Sequence, residues 1–146
     1  MAIGLDLFSG SKFRRTIQDY CNQLGWKIQD IDYVDDSTLV LKFPIDSVNI
    51  QTIFISREKE LLEFSIKSGF YFPSLDEIPN KLSTFLLSDN LTSKVGFWCL
   101  EKVGTRQTLT VMHNAELSLI NPKSFRSIVL ALVKKYEELH NLHSRY

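Results

Sequence analysis

Glycine and histidine are scarce in this sequence, and their scarcity excludes several common catalytic motifs. The six glycines are scattered along 146 residues, so neither a dinucleotide-binding fingerprint nor a Walker A loop is present. Of the three histidines, His140 and His143 could supply at most two of the three or four ligands of a zinc site. No serine lies in a nucleophile elbow. We therefore predict no cofactor, no metal site and no catalytic residue, and expect that the protein is not an enzyme.

A surplus of charge of either sign is also missing. Seventeen Lys and Arg balance 17 Asp and Glu, which leaves no strong field to hold phosphate backbones or an anionic bilayer. We predict that neither nucleic acid nor a membrane is a partner. Four aspartates come close together but lack the central Gly and distal Glu of a calcium loop. We interpret them as part of a hairpin turn: Asp30, Asp32, Asp35 and Asp36.

Long apolar runs are absent as well. The longest aliphatic run, residues 128–133, is too short to span a bilayer, and Asp6 interrupts an N-terminal stretch that does not resemble a signal peptide. We expect a cytoplasmic protein. Cys21 and Cys99 lie among apolar neighbours, and we predict two reduced core thiols in preference to a disulfide.

The length and composition that are present suit one folded domain. The chain is 44% hydrophobic and 23% charged, close to the average of globular proteins. Its 146 residues are enough to bury a core without disulfides or metals. No linker, low-complexity stretch or internal repeat interrupts the sequence. We predict a single domain over residues 1–146.

Three segments carry the period of an amphipathic helix. The first covers residues 11–24, with Ser9 or Ser11 as its N-cap and Gly25 at its C-cap. The second follows Pro79, which is tolerated in a first turn.

The second helix is predicted to end before Asn90, while the third has the clearest boundaries. Asn121 caps the third helix and Pro122 opens it. Apolar residues recur along it with the helical period: Phe125, Ile128, Val129, Leu132, Tyr136 and Leu139.

Six further segments have the β-branched, aromatic or alternating composition of strands. Four follow the first helix without room for another helix, and two form a hairpin around Gly104. The predicted strands are residues 26–31, 38–43, 49–56, 61–68, 95–101 and 108–114. The predicted fold is therefore α+β in the order α-β-β-β-β-α-β-β-α, with an antiparallel sheet packed against the helices.

Aromatic residues form the most unusual cluster. Phe70, Tyr71 and Phe72 are consecutive, and Trp98 follows Phe97 in a predicted strand. Alternating side chains of a strand cannot all face one core, so two interpretations stand. These aromatics are either buried between sheet and helices or partly exposed in a binding or dimer surface. We name Phe70, Tyr71, Phe72 and Trp98 as candidate protein-binding residues.

The second half of the chain resembles the YbjN and type III secretion chaperone-like group. The resemblance rests on short segments in order: residues 86–90 (LLSDN), residues 96–101 (GFWCLE), the Gly104 hairpin, residues 109–111 (LTV) and the helix opened by Asn121 and Pro122. It covers residues 78–140, and the first helix and strands by order only. The resemblance implies a helix-sheet-helix fold, often dimeric, that binds protein segments and performs no catalysis.

Three functions remain open from the sequence. The leading hypothesis is a non-enzymatic protein-binding or chaperone-like module, in which a partner segment adds to a sheet edge. The partner is unknown, and a homodimer is expected. The alternative is a small-molecule-sensing regulatory domain with a pocket between the sheet and the C-terminal helix. The third is an enzyme whose residues meet only in space, such as His113 with a carboxylate.

Overall fold

The computed structural model of the chain describes residues 2–26, 30–33 and 37–144. Within these residues the order is one helix, four strands, one helix, two strands and one helix, which confirms the predicted α+β order. The helices are α1 (Ala2–Gln23), α2 (Asn80–Thr92) and α3 (Pro122–Ser144). The strands are β1 (Asp30–Tyr33), β2 (Thr38–Pro44), β3 (Ile50–Glu58), β4 (Leu61–Phe72), β5 (Phe97–Val103) and β6 (Arg106–Glu116).

The strands form one sheet in the order β1-β2-β3-β4-β6-β5, so β1 and β5 are its edges. Neighbouring strands run antiparallel, as in the pairing of Leu41 with Ile53 and of Leu100 with Leu109. The predicted antiparallel sheet is thus confirmed. Among the helices described, none is long and apolar enough to cross a membrane.

The chain divides into two compact units whose boundaries fall within β4, β6 and α3. Unit 1 comprises Met1–Phe64 and Asn114–Val129, and unit 2 comprises Ser65–His113 and Leu130–Tyr146. The expectation of a single domain over residues 1–146 stays a prediction.

Unit 1 is built around an aromatic cluster. Phe125 of α3 is fully buried, with ring centroids of Tyr20, Trp26 and Phe64 between 5.5 and 5.9 Å from its own. Such tilted aromatic pairs stabilise a core beyond their burial alone. The alternation of β2 and β3 adds buried aliphatic residues to this core: Leu39, Leu41, Ile53 and Ile55. The part of the predicted apolar stripe of the last helix that belongs to unit 1, Phe125, Ile128 and Val129, is buried.

Helix α1 ends as predicted but begins earlier. Gly25 has a φ of 71°, its N–H donates to the Asn22 carbonyl, and the Trp26 N–H donates to the Cys21 carbonyl. This is the Schellman arrangement, which favours glycine at that position. The predicted start at Ser9 or Ser11 is wrong, because the helix begins at Ala2. Serine and glycine inside a helix are unfavourable but tolerated.

Unit 2 consists of the second half of β4, α2, the β5–β6 hairpin and the second half of α3. The ion pair between Lys135 and Asp89 joins α3 to α2. Gly96, with a φ of 86°, lies where an added Cβ would come within 2.9 Å of the Leu132 side chain. Only glycine satisfies both the close approach and the positive φ.

Two predicted boundaries in unit 2 are wrong for tertiary reasons. Strand β4 continues through Gly69 to Phe72, and in this added part the Phe70 carbonyl accepts a hydrogen bond from Thr108 Oγ1 of β6 at 2.7 Å. Helix α2 continues past Asn90 to Thr92, because the Asn90 side chain bonds to β5 and does not cap its own helix.

The remaining boundaries differ by a few residues. Strand β3 runs to Glu58, two residues beyond its predicted end at residue 56, and the turn that follows includes Lys59 with a φ of 53°. The hairpin loop is only Gly104 and Thr105, shorter than the predicted residues 102–107. Asn121 caps α3 as predicted, because its Oδ1 accepts the Ser124 N–H at 2.9 Å. Of the four aspartates assigned to a hairpin turn, Asp30 and Asp32 lie in strand β1 instead, so that interpretation is wrong for them. Asp35 and Asp36 lie outside the described residues.

Candidate protein-binding site

The exposed edge of the sheet in unit 2 is β5, and one position along it is already occupied. The Trp98 N–H donates to Asn90 Oδ1 at 2.7 Å, and Asn90 Nδ2 donates to the Trp98 carbonyl at 2.9 Å. A side-chain amide therefore takes the place that a neighbouring strand would take at this residue. Such covering of an edge is a usual protection against unwanted strand pairing.

An apolar groove lies beside this edge, between α2 and the β5–β6 hairpin. Its volume is about 200 Å³. Four of its residues share one face of α2, since they follow the helical spacing: Ser83, Leu86, Leu87 and Asn90. The others are Ile78, Trp98, Cys99, Leu100 and Leu109. We call this surface the α2–β5 groove.

Part of the lining of the α2–β5 groove consists of apolar side chains that are exposed to solvent. Leu86 and Trp98 are buried, but Leu87 is 70% exposed and Leu100 is 44% exposed. One helical turn beyond Leu87, outside the lining of the groove, Leu91 is 87% exposed. Single exposed leucines are ordinary on a protein surface, whereas several beside a groove indicate a binding surface.

A polar cluster occupies the other face of the hairpin. Lys67 Nζ lies 3.2 Å from Glu101 Oε2, and Thr110 Oγ1 donates to the same oxygen at 2.8 Å. Because alternate residues of a strand face opposite sides of the sheet, Glu101 points away from the face that carries Trp98 and Leu100. The negative charge of Glu101, a residue of β5, is therefore already paired with Lys67 on that other face.

The structure places three of the four sequence-predicted residues at the end of β4. The Phe70 ring stacks on His140, with centroids 4.6 Å apart, and His140 stacks in turn on Tyr136. Phe72 is half-buried. Tyr71 is exposed, and the Arg106 guanidinium lies 4.3 Å above its ring centroid. A binding role for Phe70, Tyr71 and Phe72 stays a prediction.

Trp98, the fourth candidate, lines the α2–β5 groove and is 7% exposed. It forms part of the groove wall, while Leu87 and Leu100 present the accessible apolar surface. The sequence analysis missed Leu87, Leu100 and Asn90. One signal was available for α2: Leu87 and Leu91 are four residues apart and therefore share one face of that helix.

In the described part of the chain, His113 accepts a hydrogen bond from the main chain. Its Nδ1 accepts the Gly96 N–H at 3.2 Å, which requires a neutral imidazole at that nitrogen. Burial lowers the pKa of His113 below its ordinary value. Both effects favour a neutral histidine that holds the glycine preceding β5.

The cysteines are both reduced, as predicted. Burial raises the pKa of Cys21 to about 12, so this thiol is unreactive. Cys99 is only half-buried, and its Sγ donates to the Thr110 carbonyl at 3.3 Å. Within residues 2–26, 30–33 and 37–144, no three His, Cys, Asp or Glu side chains lie close enough together to bind a metal ion. The His143 side chain lies outside the described part.

A second cavity, of about 280 Å³, lies in unit 1 between α1 and β4. Its lining is mixed and includes one cation: Phe13, Thr16, Ile17, Tyr20, Arg57, Leu62, Leu117 and Ile120. No residue of α3 lines it, so it does not correspond to the ligand pocket expected beside the C-terminal helix. The small-molecule alternative gains no support from this placement.

Solved structures with a similar fold include chains of two protein complexes and YbjN. A chain of the HopA1–SchA chaperone–effector complex superposes with a TM-score of 0.62 at 13% identity, over 92% of this chain and 97% of that one. For the ExoU–SpcU heterodimer of the Pseudomonas aeruginosa type III secretion system, the TM-score is 0.59 at 15% identity, over 83% and 92%.

YbjN from E. coli superposes with a TM-score of 0.60 at 17% identity, over 89% of this chain and 92% of its own. The sequence resemblance is thus confirmed at the level of the fold. No model of a known protein family matches the chain, and no curated protein matches it in sequence.

Proposed function

We propose that this chain is a non-enzymatic, chaperone-like module that captures an extended segment of a protein partner at the β5 edge. The observation that carries the proposal is the presence of an open strand edge beside the exposed leucines of the α2–β5 groove. Main-chain hydrogen bonds to an edge strand supply affinity, and pockets for alternate side chains supply specificity. The neighbours' fold is consistent with this role, since one of them comes from a chaperone–effector complex and another from a heterodimeric complex of a type III secretion system.

The segment is extended in this proposal because the groove is narrow and runs beside a strand. A volume of about 200 Å³ holds one or two side chains, below the range of pockets that enclose a drug-sized ligand. Leu87 and Leu100 contribute the apolar contact, and Trp98 provides a rigid wall. Tyr71, with Phe70 and Phe72 behind it, is a second candidate contact on the same unit.

Selection of short peptides displayed on phage tests this function on the whole chain. Leu87→Asp should abolish the binding of enriched peptides, because a carboxylate would replace apolar contact surface. Leu119→Asp is the matched control: Leu119 is 72% exposed, against 70% for Leu87, but belongs to unit 1. Enriched peptides that bind the two variants equally, or a selection without enrichment, would contradict the proposal.

Homodimerisation is the second part of the proposal. Its support is Leu91, the most exposed leucine of α2, which lies outside the lining of the groove. Sedimentation of the purified chain should give a dimer that Leu91→Asp converts to a monomer. A wild-type chain that sediments as a monomer at high micromolar concentration removes this part and leaves segment capture standing.

A cytoplasmic location completes the proposal, supported by two cysteines that remain reduced. Fractionation of native cells should recover the protein with cytosolic markers. Recovery with secreted or membrane fractions would contradict this location.

A further inference from the structure

The main-chain groups that the β5 edge offers are set by the register of the hairpin. Opposite residues of an antiparallel pair alternate between those that exchange hydrogen bonds and those whose N–H and C=O point outward. Trp98 pairs with Val111, and its N–H and carbonyl bond outward to Asn90. By alternation, the N–H and carbonyl groups of Leu100 and Lys102 also point outward.

The turn agrees with this assignment. Val103 pairs with Arg106 around a two-residue loop in which Gly104 has a φ of 64°. In such a tight hairpin the closing pair exchanges hydrogen bonds across the turn. Counting back from Val103 leaves Lys102, Leu100 and Trp98 as the outward positions. Because the Asn90 side chain already bonds to the N–H and carbonyl of Trp98, an added strand can form main-chain hydrogen bonds only at Leu100 and Lys102.

Leu100 and Lys102 also present their side chains on one face, that of the α2–β5 groove. Leu100 lines the groove, while Lys102 is exposed nearer the turn. The cross-strand neighbour of Lys102 is Gln107, which is neutral. Glu101 faces the other side of the sheet with Lys67, and Arg106 lies over Tyr71. In the described part of the chain, Lys102 has no ion-pair partner.

From this geometry we infer that the captured segment runs antiparallel to β5 and carries an acidic residue two positions before an apolar one. The acidic residue lies opposite Lys102 and the apolar residue opposite Leu100, where it enters the groove. Antiparallel pairing reverses the order along the partner, so the acidic residue comes first. Opposite charges at directly paired positions stabilise a sheet and like charges destabilise it. This inference rests on the proposed function and adds the partner's chemistry.

A second copy of this chain does not fit the same edge. Two β5 strands related by a two-fold axis and paired through these outward positions would place Lys102 of one copy opposite Leu100 of the other. A lysine would then face the apolar groove. Shifting the register to pair Leu100 with Leu100 would need the Trp98 main chain, which Asn90 holds. The occupant is therefore a segment of different sequence.

Two fluorescein-labelled threonine peptides test the inference on the full chain by fluorescence anisotropy. One carries Glu two positions before a single Leu, and the other carries Lys in place of Glu. The Glu peptide should bind the wild-type chain about five-fold more tightly than the Lys peptide, as expected for a rim charge pair. In Lys102→Glu the preference should invert. A peptide with Leu before Glu should lose the preference, because its order does not match an antiparallel strand.

The outcomes separate the inference from the proposed function. If both peptides bind the wild type equally and Leu87→Asp abolishes binding, the inferred preference for an acidic residue opposite Lys102 is wrong. Segment capture is then retained. Absence of binding by any peptide, including those enriched by display, overturns both. A chain that is dimeric without peptide and monomeric as Leu100→Pro shows a second copy at the edge and also overturns the inference. Circular dichroism checks that Lys102→Glu and Leu100→Pro remain folded.

Discussion

Both units bury apolar side chains, but the contacts around their strands and loops differ. In unit 1 the fully buried Phe125 is surrounded by aromatic rings, and the contacts are those of an apolar core. In unit 2 polar side chains fix the strands and loops, as Asn90 does at Trp98 and His113 does at Gly96. Unit 2 also exposes Leu87 and Leu100 beside an open edge. Directional hydrogen bonds can hold a binding surface in shape without burying its apolar residues.

The largest expected effect comes from emptying the core of unit 1. Phe125→Ala should lower the free energy of unfolding by about 3–5 kcal/mol, because it removes a fully buried ring and leaves a cavity. Urea denaturation followed by tryptophan fluorescence measures the loss. Phe97→Ala, at an exposed site in unit 2, is the control and should cost under about 1 kcal/mol. Comparable losses in the two variants would contradict the role given to the buried Phe125 ring in the core of unit 1.

The second prediction concerns the hydrogen bonds of unit 2. Asn90→Asp keeps the acceptor for the Trp98 N–H but removes the donor to the Trp98 carbonyl. Leaving that carbonyl unpaired should cost about 1–3 kcal/mol in the free energy of unfolding. Asn90→Ala removes both bonds and should also increase strand-mediated self-association, seen by light scattering, because it uncovers the edge. Unchanged stability in both variants would show that the Asn90 contacts do not hold the edge.

A smaller effect is expected from the polar cluster on the other face of the hairpin. Glu101→Gln keeps the shape of the side chain but removes the charge that Lys67 and Thr110 contact. Because both members of the ion pair are partly exposed and screened, the loss should be about 0.5–1 kcal/mol. Raising the salt concentration should shrink the difference between the variant and the wild type. A difference that grows with salt would contradict an electrostatic origin.

The smallest effect is a pH dependence from His113. Its pKa is lowered by burial in the folded chain, so the unfolded chain binds a proton more readily. The stability contributed by neutral His113 is present above the ordinary pKa of about 6.5 and is lost as pH falls below it toward the lowered folded value. Denaturation midpoints of the wild type and His113→Gln should therefore diverge at neutral pH and converge on acidification.

This effect should be measured above the ordinary aspartate pKa of about 3.9, where Asp46 stays ionised. Hydrogen bonds from the Asn49 side chain and from the Val48 and Asn49 main chain lower the Asp46 pKa. Its own contribution to stability is therefore lost only at more acidic pH. Parallel pH profiles for the wild type and His113→Gln would refute the role given to His113.

The elements were largely predictable from the sequence because their signals are local. The Gly25 C-cap, the Asn121 N-cap and the apolar stripe of α3 each depend on residues within one or two turns. The wrong boundaries depend on distant partners. Strand β4 passes Gly69, and the Thr108 side chain of β6 donates to its Phe70 carbonyl; α2 passes Asn90, whose side chain bonds to β5. Tertiary contacts override local propensity at such positions.

The candidate site was predictable only in part. Trp98 was singled out as an aromatic residue on a strand, and it does line the groove. Nothing in the sequence places Leu87 beside Leu100, because that contact depends on how α2 packs against the hairpin. The outward direction of the Leu100 and Lys102 main-chain groups depends on which residues of β5 and β6 pair. The sequence does not exclude a shift of one residue in this pairing, which would reverse that direction.

Amide hydrogen exchange with and without the tightest display-selected peptide is the sharpest test of capture at the β5 edge. We expect slowed exchange at the amides of Leu100 and Lys102, which gain main-chain partners. The Trp98 amide should change little, since Asn90 Oδ1 already accepts it. Protection confined to unit 1, or binding without any change at Leu100 and Lys102, would contradict capture of an extended segment at the β5 edge.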